Sequence, residues 1–126
     1  MLNKVILIGR LTRDVEHRFI DSGKAKANFT LAVDRPFKNA NGEKEADFIN
    51  IVAWDKLAEL CSKYIRKGRL VAVEGRLQIR SYEGQDGQRK YITEIVANEV
   101  RFLDKPKDKE EPTFEDVQEN TDGVPF

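Results

Sequence analysis

Residues 48–54 read Phe48-Ile49-Asn50-Ile51-Val52-Ala53-Trp54. Taken as a strand, the run sends alternate side chains to opposite faces. Ile49, Ile51 and Ala53 form one apolar face, directed at a core. Phe48, Asn50, Val52 and Trp54 form the other. A half-buried strand ordinarily turns polar residues to water on its second face. Here that face carries an aromatic ring at each end, about 20 Å apart at ~3.3 Å per residue. From this strand alone two uses of the rings stay open. They pack under a neighbouring element or subunit, or they stack on something flat.

The residues on either side extend the β pattern. Ala27, Phe29, Leu31 and Val33 alternate inward, with Asn28, Thr30 and Asp34 outward. The Asn41-Gly42 pair within residues 38–44 is a tight-turn signal, so residues 27–37 and 45–54 read as one long hairpin. Phe37 lies beyond the clean alternation, near the hairpin's mobile end, where a core role is not expected. After Trp54, Asp55 is placed to cap a helix. Leu57, Leu60, Cys61 and Tyr64 then recur at helical spacing. Arg66-Lys67-Gly68 supplies basic residues at the negative end and a left-handed stop. Cys61 falls on the buried stripe and reads as a small core residue, with no histidine near it in sequence.

Toward the start, Val5–Leu11 is a strand apolar on both faces. One face meets the core and the other is available to a second copy of the chain, with Gly9 marking a bulge or bend. Phe19-Ile20 resumes pairing before a turn at residues 21–24. The later strand, Leu70–Tyr82, places Val71, Val73, Gly75, Leu77 and Ile79 on one side. Glu74, Arg76, Gln78, Arg80 and Tyr82 lie on the other. Residues 83–88 form a turn, and Tyr91–Phe102 returns.

The chain has 126 residues and a single cysteine, which implies one domain and rules out an intramolecular disulfide. No apolar run approaches the roughly 18 residues of a membrane span, and the start is too short and strand-like for a signal peptide; a cytoplasmic, nucleoid-associated protein is expected. His17 is the only histidine, which excludes a multi-histidine metal cluster. There is no Gly-rich phosphate loop of known spacing, no Cys/His cluster and no Ser-His pair near an acid. The expectation is therefore no enzyme, no catalytic residue, no metal and no cofactor. The zero net charge hides an asymmetry. Residues 110–126 carry six acids and no base, so the first 109 hold 22 basic against 16 acidic residues. A basic body with an acidic end is a mark of polyanion binding. After Asp104 the charged, Pro-containing run 105–112 has no core-forming period. Residues 1–104 are expected to be the domain and 105–126 a disordered acidic tail.

Strand, strand, strand, helix, strand, strand is the element order of an OB-fold, a five-stranded Greek-key barrel. The fold class expected is thus all-β with one helix. On its outer faces and hairpin tips, Phe37, Phe48, Trp54 and Tyr82 fall beside Arg35, Lys38, Arg76 and Arg80. Aromatic rings interleaved with cations suit single-stranded nucleic acid. Unpaired bases expose rings that stack for about 1–3 kcal/mol each, whatever the base. Duplex bases are already stacked on one another.

On specific residues the chain resembles the bacterial-type single-stranded DNA-binding proteins. These are Asn3-Lys4-Val5-Ile6-Leu7-Ile8-Gly9, Lys56-Leu57-Ala58-Glu59, Tyr64-Ile65-Arg66-Lys67-Gly68, Glu74-Gly75-Arg76-Leu77 and the final Val124-Pro125-Phe126. The resemblance runs over residues 3–103 and again at the last few. It implies a homotetramer of OB-folds around which single-stranded DNA wraps, serving replication, recombination and repair. It also implies stacking at Phe37, Phe48, Trp54 and Tyr82, and a subunit interface on the first strand. The family's tail recruits replication and repair proteins through an acidic run and an apolar tip, here Asp122, Val124, Pro125 and Phe126. Gly123 stands where an acid is expected, which thins the charge beside the tip.

Overall fold

The structure of the chain, a computed structural model, describes residues 1–104. The expected tail, with Asp122, Val124, Pro125 and Phe126, lies outside the described residues. Six strands and one helix follow in order: β1 (Val5–Leu11), β2 (Glu16–Phe19), β3 (Ala25–Asp34), β4 (Ala46–Trp54), α1 (Asp55–Tyr64), β5 (Leu70–Glu83) and β6 (Arg89–Phe102).

Alternating apolar residues drive the closure. β1 pairs with β5, β5 with β6, β6 with β4, β4 with β3, and β3 returns to β1 through Arg10↔Ala32 and Leu11↔Leu31. Only β4 and β6 run parallel, at Ile51↔Ile95 and Val52↔Val96. A ring of five strands in this order, with the helix between the third and fourth, is the OB-fold. Its interior is filled by Leu11, Ala27, Phe29, Leu31, Ile51, Ala53, Val71, Val73 and Ile95, with Ala58 and Cys61 from α1. Burial pushes the Cys61 thiol up to about 12, so it stays protonated at neutral pH and is expected to resist alkylation until the chain unfolds.

Two close approaches close the barrel. A Cβ on Gly9 would lie 2.3 Å from the Ala32 carbonyl oxygen, and one on Gly75 would lie 2.2 Å from that of Val96. Gly75 also sits at the register shift between β5 and β6. Gly9→Ala is expected to lower stability by about 1–3 kcal/mol, read as a lower urea midpoint at an unchanged slope. An unchanged midpoint would mean that β1 and β3 tolerate separation there.

The structure departs from the sequence reading in several places. First, the pairing expected at Phe19-Ile20 is a strand of its own, β2, which begins earlier, at Glu16, and ends at Phe19. It rejoins β3 from Glu16↔Asn28 to Phe19↔Ala25 after the chain leaves β1. All four of its residues are exposed, so no apolar period announces it. Second, Asp55 does not cap α1. Trp54 occupies the cap position without a side-chain bond, and Asp55 begins the helix at φ 55°. Its carboxylate still favours the positive helix end. Third, Gly68 is not the helix stop. α1 ends at Tyr64, and Gly68, at φ 86°, lies in the following turn and donates its N–H to the Leu11 carbonyl. Past Gly75 the inner side of β5 also runs out of core, leaving Leu77 and Ile79 exposed on a β5–β6 arm.

Candidate nucleic-acid interface

Directly paired residues share a sheet face, and the ladder registers assemble one outer surface from four strands. Lys26 lies opposite Trp54, Asn28 opposite Val52, Thr30 opposite Asn50 and Ala32 opposite Phe48. Across β6 and β5 the same surface continues through Val96↔Arg76, Glu94↔Gln78, Ile92↔Arg80 and Lys90↔Tyr82. Trp54 stands at one end of it, with Phe48 further along β4 and Tyr82 on the arm.

The rings are presented unequally. Phe37 is 82% exposed, Phe48 69% and Tyr82 46%. Trp54 is half-buried, with the Lys26 ammonium 5.4 Å from its ring centroid. A cation over an indole face is attracted by the ring quadrupole. Trp54 also borders a cavity of about 330 Å³ shared with Ile20, Ser22, Lys24 and Asp55, so there is open space beside the ring. Val52, expected on the exposed face, is on that face but buried, because β3 and β6 flank it closely.

Between Trp54 and the arm runs a groove of about 240 Å³. Arg13, Arg18, Lys26 and Arg80 contribute its cations, and Asn28, Thr30, Asn50 and Glu94 its other polar groups. The Thr30 hydroxyl reaches Asn50 Oδ1 at 3.3 Å. Glu94 is the groove's carboxylate, with a side chain only 5% exposed. Its Oε1 accepts from Arg80 Nε at 3.0 Å and Gln78 Nε2 at 3.2 Å. This holds the Arg80 guanidinium through its Nε, on a side chain that is still 47% exposed. Arg76 donates to Gln78 Oε1 at 2.9 Å and is exposed. Lys38 is exposed beside Phe37 on the β3–β4 hairpin.

Arg35, expected as a phosphate contact, is drawn to acids of its own hairpin. Its guanidinium is held by two carboxylates, Asp47 at 2.8 Å and Glu45 at 2.9 Å. The bonds from Arg35 also hold the Asp47 carboxyl below its ordinary range. Conversely, Arg13, Arg18 and Lys26 escaped the sequence reading. Arg13 and Arg18 flank a stretch without apolar period, and only the pairing of β2 on β3 brings Arg18 opposite Lys26. Lys26 precedes the alternation that marks β3; its place opposite Trp54 was readable only from the hairpin register.

Among the described residues no group of three or more His, Cys, Asp or Glu side chains could hold a metal ion. Among them, too, no helix is long and apolar enough to cross a membrane.

Residues 2–103 match the model of the single-strand binding protein family. A Listeria innocua protein named single-stranded DNA-binding protein 3 is 57% identical over 104 residues, 82% of this chain and 65% of that protein. Single-stranded DNA-binding protein 1 of Staphylococcus aureus is 52% identical over 126 residues, 98% of this chain and 80% of its own length. Single-stranded DNA-binding protein 1 of Streptococcus pyogenes is 57% identical over 105 residues, covering 83% and 81%. The chain thus spans less than two thirds of the Listeria relative, and 62% of a Halalkalibacterium halodurans one.

Proposed function

The chain belongs to the single-strand binding protein family, and on that premise we propose that it is a non-enzymatic, sequence-tolerant coat for single-stranded DNA. It protects exposed strands in the cytoplasm during replication, recombination and repair. The observation that carries this reading is the continuous outer surface from Trp54 through the cationic groove to Tyr82. Bases lie on Trp54, Phe48, Phe37 and Tyr82, while phosphates follow Lys38, Arg76 and Arg80 together with Arg13, Arg18 and Lys26. Stacking needs only a ring face, which every base has, so the mode tolerates any sequence. A labelled mixed-sequence oligonucleotide competed with poly(dA), poly(dC) and poly(dT) tests it. All three homopolymers are expected to compete; competition by one alone would overturn sequence tolerance.

The same reading includes assembly as a homotetramer. Two exposed apolar stretches support it: Ile6 and Ile8 on β1, and Leu77, Ile79 and Tyr91 on the arm. Exposed aliphatic side chains grouped on a strand face mark contact surfaces. β1 pairs with β3 only at Arg10 and Leu11, which leaves the edge of residues 5–8 on that side open to another strand. Ile8→Lys is expected to lower the molar mass measured by light scattering while the monomer stays folded. An unchanged mass would remove β1 from the interface. Residues 105–126 act as the acidic tail, with Asp122, Val124, Pro125 and Phe126 recruiting DNA-metabolism proteins. An apolar anchor in a pocket, framed by charge, is how a short segment of this composition binds.

A further inference from the structure

The β3–β4 hairpin carries two of the exposed rings, and a chain of polar contacts crosses it. Arg35 Nε donates to both oxygens of Asp47 at 3.2 Å, and Nη2 donates to Oδ1 at 2.8 Å. Arg35 Nη1 donates to Glu45 Oε2 at 2.9 Å. The other oxygen of Glu45 accepts from Asn39 Nδ2 at 3.1 Å. Asn39 Oδ1 then accepts the backbone N–H groups of Asn41 and Glu43, both at 2.9 Å. The contacts run without a break from Asp47 to the turn. Phe37 lies between Arg35 and Asn39 in sequence, and Phe48 follows Asp47.

We infer that Arg35, Glu45, Asp47 and Asn39 form a clamp that holds the hairpin in the shape that presents Phe37 and Phe48 to DNA. Arg35 is a positioning residue rather than a phosphate contact. Three of the five guanidinium N–H groups are already committed to carboxylates. With two carboxylates and one cation, the cluster is net negative and repels a phosphate. A planar fork matched to two acids fixes geometry in a way that a lysine cannot. Ordering the hairpin before DNA arrives removes an entropic cost that binding must otherwise meet.

The inference rests on the DNA-binding reading, and its test separates the two. Asp47→Asn removes a negative charge from the surface. If Arg35 is a phosphate contact muted by Asp47, binding to oligo(dT) tightens. If the clamp presents the rings, binding weakens by roughly three- to tenfold. Arg35→Met is expected to weaken binding by a similar factor at an unchanged salt slope, and Arg35→Lys to behave like Arg35→Met. In a Phe37→Ala background the clamp variants are expected to cost less. Tighter binding by Asp47→Asn would overturn the clamp, as would a salt slope lowered by about 0.7 in Arg35→Met. Amide exchange at Asn41 and Glu43 in the DNA-free chain gives an independent reading. Asp47→Asn and Arg35→Met are each expected to speed it at an unchanged melting temperature; unchanged exchange overturns the clamp. Failure of the unaltered chain to bind oligo(dT) counts instead against the DNA-binding reading, and exchange still decides whether the clamp orders the hairpin.

Discussion

Trp54→Ala is expected to weaken binding to single-stranded DNA by about 1–3 kcal/mol, a loss of roughly five- to over a hundredfold. Trp54 is the largest ring on the outer surface, and Lys26 covers it on one side while a cavity opens beside it. A base entering that space gains the indole face and the neighbouring ammonium together. Removing the ring takes away the stacking surface and leaves Lys26 without its rest. Phe48→Ala and Tyr82→Ala remove smaller faces, and each is expected to cost less. Anisotropy of a labelled oligo(dT) reads all three variants. A Trp54→Ala chain that binds like the parent would show that the indole serves the fold, since α1 begins beside it.

Replacing Arg13, Arg18 and Lys26 together by alanine is expected to lower the salt slope of binding by about 2, from ~0.7 per neutralised phosphate. A tenfold rise in salt then costs the parent chain about a hundredfold more affinity than the variant. The three cations line one groove with Arg80, and Glu94 is already occupied by Arg80 and Gln78. Among the described residues, Glu94 is the one carboxylate lining the groove against these cations and Arg80, so a phosphate is a natural counterion for the excess charge. An unaltered slope in the triple variant would move the DNA path off this groove.

The barrel was legible because its strands obey period two. Ala27 to Val33 and Ile49 to Ala53 announce their inner faces, and Asn41-Gly42 announces the turn between them. The register that follows from that turn also put Phe48 and Trp54 on one outer face, as the ladder from Ala32↔Phe48 to Lys26↔Trp54 has it. What escaped has no such period. β2 is short and wholly exposed; its end at Phe19 was expected to pair, but nothing in the composition of residues 16–18 separates them from a loop. Its pairing nonetheless carries Arg18 to the groove. Asp55 has the composition of a cap, but the backbone turns left-handed there and carries it into the first helical position. Arg35 has the composition of a phosphate contact beside an aromatic residue. Its acids lie 10 and 12 residues away, across the hairpin. Residue type identified the chemistry of this surface; only register identified which charges face one another.

On the proposed function, rings held outward on a small barrel lie flat against unpaired bases. Trp54 is the sole tryptophan, so its emission reports on that contact alone. Titrating the chain with oligo(dT), and separately with a duplex of equal length, decides whether this contact forms. Strong quenching by the single strand with little response to the duplex is the predicted result. Emission unmoved by oligo(dT), or quenched equally by the duplex, would contradict it.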